Sequence, residues 1–147
     1  MSVFGLESIP TWNTSTEGVL ASQQYSRSIL GDRVSLWKGD ITKLRIGAIA
    51  NAANDQLRGG GGVDGAIHRA AGVHALKAAC RELGGCKTGD AKLTRGFALP
   101  ADYIIHCVGP IGEKPDKLRA TYKKALEICS ERNIQSIAFP CISTGVF

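Results

Sequence analysis

Apolar residues come in short bursts separated by glycine-rich breaks, and the spacing within each burst changes along the chain. Residues 46–53, IGAIANAA, are a mostly apolar run that predicts a buried strand, and DYIIHCVG at 102–109 predicts another, stopped by Gly109 and Pro110. Between them Val63, Ile67, Ala70 and Ala71 recur at helical spacing. Gly72 then breaks the helix, and Leu76, Ala79, Cys80 and Leu83 carry the apolar face into a second helical piece. DAKLTRGF at 90–97 alternates as a half-solvated strand does. Pro115 opens a third helix with Leu118, Tyr122, Ala125, Leu126 and Cys129 on one face, and IQSIAFPCI at 134–142 supplies the last strand. RVSLWKGD at 33–40 reads as a short strand closing on Gly39 and Asp40. Residues 1–32, rich in Ser, Thr, Asn and Gln, read as an N-terminal extension with a short helix before Gly31.

Strands alternating with helices predict an α/β fold, a three-layer α/β/α sandwich around a mixed, largely parallel sheet spanning residues 33–147. In such folds ligands bind outside the carboxyl ends of the strands. Two loops fall there: the segment after the strand ending near Asn54, and STGVF at 143–147.

With 147 residues, 44% hydrophobic and 21% charged, the chain suits one domain with its own core. No apolar stretch approaches the roughly 20 residues of a membrane span, and no secretory leader is recognisable, so no membrane association is expected. The five cysteines are odd in number and form no C-x-x-C pair, which suits a reducing compartment, cytoplasmic or nuclear; Glu7 and Glu17 disfavour a mitochondrial leader. His68, His74 and His106 share no metal-ligand spacing with the cysteines, so they are read as satisfied or surface histidines and no metal site is expected. A net charge of +5 favours an anionic partner. Its cations are scattered and aromatics make up only 6%, which disfavours nucleic acid.

The stretch NAANDQLRGGGGVDG at 51–65 holds the candidate chemistry. Bare backbone at Gly59, Gly60, Gly61 and Gly62, placed between a buried strand and a helix, suits a nest of amides for phosphate, reinforced by the helix dipole. A flexible surface loop is the alternative. Gly60, Gly62 and Gly65 also satisfy G-x-G-x-x-G, yet NDQLR separates them from the strand and Glu82 sits within a helical stretch, unlike a dinucleotide fold; Lys87 and Thr88 likewise follow Cys86 and make no Walker loop. Asp40 reads either as a turn or N-cap carboxylate or as an acceptor for an exocyclic amine. Asn51 and Asn54 read as turn formers or as amides for sugar hydroxyls, and Asp64 as a helix cap or a carboxylate for water activation. Cys141 reads as a core cysteine rather than a nucleophile.

GDIT at 39–42, NAAN at 51–54, GGGGVDGAIHRAAG at 59–72, IIHCVGP at 104–110 and PCISTGVF at 140–147, in this order, resemble the macrodomains, specifically the MacroD-type ADP-ribosyl hydrolases. That resemblance implies an ADP-ribose cleft with no cofactor. Asp40, with Ile41 and Thr42, would read adenine. Asn51, Ala52, Ala53 and Asn54 would meet the distal ribose, with Gly59, Gly60, Gly61, Gly62 and Val63 on one side of the diphosphate. Ser143, Thr144, Gly145 and Val146 would form the other side, and Phe147 would pack near the ribose or fill core. Asp64 and Asn54 would serve catalysis, hydrolysing the ester between ADP-ribose and a protein Asp or Glu, or O-acetyl-ADP-ribose. The implied partners are ADP-ribose and mono-ADP-ribosylated proteins, met by a monomer. The family pattern also implies a helix, a strand between VSLW and SIAFP, and a closing helix after Phe147. The chain is thus expected to be C-terminally truncated, with weakened affinity and stability. A non-catalytic ADP-ribose reader and a Rossmann-like dehydrogenase fragment are the alternatives.

Overall fold

The computed structural model describes residues 2–18 and 29–144. Its strands are β1 (Phe4–Gly5), β2 (Leu44–Arg45), β3 (Ala48–Ala52), β4 (Ala91–Arg95), β5 (Tyr103–Cys107) and β6 (Ile137–Ala138). Three helices are described in detail, α1 (Gly62–Ala71), α2 (Val73–Leu83) and α3 (Pro115–Glu131). The main sheet runs β4-β5-β3-β6: β3 is parallel to both β5 and β6, and β4 is antiparallel to β5. Mixed and largely parallel, it matches the expected sandwich.

Strand alternation divides the core into two layers. Ile49 of β3 and Ile104 of β5 pack with Ile67, Leu76 and Cys80 from α1 and α2. Ala48, Ala50, Ile105 and Cys107 face the other way, against Ala125, Ile128 and Cys129 of α3. Ile49, Ile67, Leu76 and Ile104 are wholly enclosed, each contributing about 1.5–3 kcal/mol of apolar burial. The same alternation puts Asn51 and His106 on the face of α1 and α2, and the register pairs them directly across β3 and β5.

Helix boundaries follow local chemistry. Gly72, at φ 101°, ends α1 and starts α2, a conformation L side chains resist. Gly84 closes α2 in the left-handed region, and Lys92 Nζ donates to the Leu83 carbonyl at 2.8 Å. Pro115 takes the first turn of α3, where its missing N–H costs nothing. Residues near the N-terminus dock onto the domain: β1 pairs with β2, and Phe4 meets Trp37 edge-on at 5.6 Å between ring centroids.

Several expectations need correction. Residues 33–40 form no strand; Leu36 is 72% exposed, and among the described residues no ladder partner flanks this segment. The last strand shrinks to two residues, because β6 pairs only with Ala48 and Ile49 of β3. Leu126 is exposed, lying ~100° around the helix from buried Ala125, and Thr121 and Ile128 take the enclosed places. Thr121 is tolerated there because its hydroxyl donates to the carbonyls of Lys117 and Val108. Cys141 is exposed rather than in the core, since it follows the short β6 on the way out of the sheet.

Gly65 shows why α1 can lie so close to the glycine loop: a Cβ there would collide with the Gly60 carbonyl oxygen. Gly65→Ala should therefore destabilise the fold by about 1–3 kcal/mol despite alanine's better helix propensity. The measurement is the urea midpoint, and a midpoint equal to or above that of the parent would contradict this packing.

Candidate functional site

The carboxyl end of β3 leads into residues 53–61, and α1 follows at once. Asn54 braces this loop from within: its Nδ2 donates to the Gly59 carbonyl at 3.0 Å, and its Oδ1 accepts from the Arg58 amide at 3.1 Å. The turn-forming reading of Asn54 is thus realised. Ala52 and Ala53 end the strand beneath it, and Ala53 is buried.

The glycines have different reasons to be there. Gly59 and Gly62 have φ of +80° and +57°, which favours glycine whatever the space around them. A Cβ on Gly60 would touch Asp64 Oδ2 at an ordinary 3.5 Å. Gly61 has φ −89°, open to any residue, and nothing lies within 4 Å of where its Cβ would stand. Neither strain nor crowding explains that glycine. Its bareness leaves room beside the first amides of α1, those of Gly62, Val63 and Asp64, which lack partners within the helix.

Asp64 does not cap α1; the N-cap is Gly61, which makes no side-chain cap bond. Its carboxylate is instead 6% exposed and held in a polar cluster under the loop. Asn51 Nδ2 donates to Asp64 Oδ1 at 2.8 Å, and His68 Nδ1 lies 3.0 Å from the same oxygen and 3.0 Å from the Asp64 carbonyl. Both atoms facing His68 Nδ1 accept, so that nitrogen carries hydrogen. Asn51 Nδ2 also lies 3.2 Å from His106 Nδ1, while His106 Nε2 sits 2.9 Å from Thr94 Oγ1 and 3.8 Å from Cys80 Sγ. Because the amide can only donate, His106 Nδ1 accepts and its proton resides on Nε2. Asn51 Oδ1 and His68 Nε2 are buried without a protein partner and retain hydrogen-bonding capacity. Asn51 is therefore neither a turn former nor a strand end. It sits wholly enclosed within β3, bonding to the carboxylate.

Asp40 caps the short turn Ile41–Lys43, accepting from the amide and hydroxyl of Thr42 at 3.0 and 2.7 Å, so its cap reading is realised. Those bonds hold its carboxyl below the usual range. On the second loop, Ser143 is at φ 60° and its hydroxyl donates to the Pro110 carbonyl at 2.8 Å, while the Thr144 hydroxyl donates to the Cys141 carbonyl at 3.0 Å. Gly145, Val146 and Phe147 lie outside the described residues. Burial pushes the thiols of Cys80 and Cys86 up to about 11 and that of Cys107 up to about 12. Among the described residues, no cluster of His, Cys, Asp or Glu is placed to hold a metal ion.

Sequence reasoning missed His68, His106 and Thr94 as members of the site. The signal was present: His68 stands four residues after Asp64, hence on the same face of α1, and His106 is in phase with Ile104 on β5.

The macro domain family model matches residues 50–147. The chain belongs to the macro domain family. This macro domain is 50% identical over 152 residues to a Bos taurus protein named ADP-ribose glycohydrolase MACROD1, covering 97% of this chain and 46% of that protein. It is 49% identical to ADP-ribose glycohydrolase MACROD2 of Homo sapiens, covering 97% of this chain and 36% of that one. The Trypanosoma brucei macrodomain solved in complex with ADP-ribose superimposes with a TM-score of 0.87 at 40% identity, over 99% of this chain and 57% of that chain. The macro domain thus spans under half the length of those two curated relatives.

Burial, and secondarily His68, pushes the His106 imidazole from 6.5 down to about 3. Between those values the unfolded chain takes up a proton at His106 that the folded chain refuses. Its contribution to stability is therefore complete above about pH 6.5 and is lost as pH falls toward about 3. The urea midpoint should decline across that window, and the His106 imidazole NMR resonances should keep their neutral-form shifts at about pH 5. Protonated-form shifts there would show that the ring is not held as described.

Proposed function

We propose that this macro domain binds ADP-ribose and hydrolyses the ester joining its distal ribose to a protein Asp or Glu, with O-acetyl-ADP-ribose as a related substrate. The relatives named ADP-ribose glycohydrolase and the ADP-ribose complex of the trypanosomal macrodomain support this. The observation that carries it is Asp64. One carboxylate oxygen is pinned by Asn51 and His68, while the other lies toward Gly60 in the loop whose bare amides suit a diphosphate. A carboxylate so placed can accept the proton of a water that attacks the ester carbonyl, and its pinned oxygen keeps the free one aimed. Asn54 holds the loop in shape rather than meeting the reacting atoms. Asp40 has already spent Oδ1 on Thr42, which leaves Oδ2 for an adenine amine. Residues 33–147 form the domain and 1–32 an N-terminal extension, working as a monomer. Its free thiols suit cytoplasm or nucleus.

Calorimetric titration with ADP-ribose tests the binding. Gly61→Val should weaken it at least about tenfold while lowering stability by no more than about 1 kcal/mol in urea unfolding, the cost of losing a glycine N-cap, because nothing lies within 4 Å of where its Cβ would stand. Asp64→Asn should retain binding and slow release of ADP-ribose from a glutamate-modified protein by about 10²–10⁴-fold. Undiminished release by that variant would remove Asp64 from the reaction. A parent chain that binds ADP-ribose but releases none would be a reader instead.

A further inference from the structure

Beside the glycine loop runs a groove that the reaction above does not use. A cavity of about 640 Å³ lies between Arg58 on the loop and Lys77 and Arg81 on α2. A second, of about 530 Å³, shares Asp55, Gly84 and Gly85 with it and continues to Lys87 and Lys92. The sheet register fixes where this groove lies. Because β4 is antiparallel to β5, Ala91 pairs with Cys107, and Cys107 also pairs with Ala52. Residues 84–90 therefore emerge at the same end of the sheet as the glycine loop, on the side away from β6 and the second loop. The Cys86 amide donates to the Asp55 carbonyl at 2.7 Å, tying the two walls together.

Five cations line the two cavities against the carboxylates Asp55 and Asp90. Among the described residues, no ion pair joins Arg58, Lys77, Arg81 or Lys87 to a carboxylate. Unpaired like charges facing one concavity repel each other and attract an anion. No aromatic side chain lines either cavity, so nucleobases would find nothing to stack on. Asp55, Asp90 and Gln56 can instead accept from the amides of an extended peptide.

We infer that this groove receives an acidic stretch of the substrate protein next to its ADP-ribosylated side chain, and so selects which modified chains are processed. The inference rests on the hydrolase reading, because it places the protein end of the substrate beyond the distal ribose. Charge here acts on recognition of the polypeptide and leaves the nucleotide untouched.

The test compares three probes on the whole chain carrying Asp64→Asn: ADP-ribose, a glutamate-modified peptide with glutamate flanks, and the same peptide with glycine and serine flanks. The acid-flanked peptide should bind at least about tenfold tighter than the neutral one, with an advantage that fades from about 50 to 300 mM salt. Adding Lys77→Glu and Arg81→Glu, both exposed on α2, should erase that advantage and leave ADP-ribose affinity within about twofold. Equal affinities for the two peptides, or an advantage that survives the charge reversal, would overturn the inference while ADP-ribose binding still stands. Failure to bind ADP-ribose sinks the parent reading, and in that case unmodified acidic peptide must still bind and lose affinity on charge reversal. Tighter binding of an oligonucleotide of equal charge would also overturn it.

Discussion

The hydrogen bond from the Asn51 amide to Asp64 is the constraint on which the rest of the site depends. A carboxylate 6% exposed must be satisfied by donors, because a buried charge left alone is far costlier than a missing contact. Asn51 supplies a donor from β3 and His68 supplies another from one turn further along α1. The first bond crosses between strand and helix, so it fixes α1 against the sheet as well as satisfying the charge. It also decides which way the Asn51 amide faces, which in turn decides where His106 keeps its proton and why Thr94 lies beside Nε2. Orientation passes from one residue to the next through groups that can only give or only accept.

Around that cluster the loop is shaped by economy of side chains. Gly65 lets the helix approach the Gly60 carbonyl, Gly59 and Gly62 turn the chain through positive φ, and Gly61 alone leaves open space with no internal cause. The result sets unpaired helix amides beside a buried carboxylate. Positive electrostatic potential and a proton acceptor stand within one turn of chain, the combination that the proposed ester hydrolysis beside a diphosphate would use.

Much of this could be read from the residues. The runs at 46–53 and 102–109 became β3 and β5 because they are short, mostly apolar and marked by glycine or proline near an end, which suits a strand covered on both faces. The glycine break at 72 and the proline at 115 marked helix ends for local steric reasons. RVSLWKGD failed as a strand because alternation predicts a face to bury, and a ladder needs a neighbour that local sequence does not reveal. In the site, the glycines and Asp64 were legible, whereas His68 and His106 were not. The i,i+4 spacing of Asp64 and His68 puts both on one face of α1 without saying that this face is buried, and Asn51 becomes a partner of His106 only once β3 and β5 lie in register. The groove of lysines and arginines was hidden for the same reason: Arg58, Lys77 and Lys87 are scattered in sequence and gathered by the sheet.

Cysteine placement has a practical consequence. Four of the five thiols are enclosed, and burial holds those of Cys80, Cys86 and Cys107 far from the thiolate form that reacts. Cys141 stands in water just before the second loop. A maleimide dye would therefore label the folded molecule at a single address, and its emission would report what arrives at the mouth of the cleft without an engineered handle.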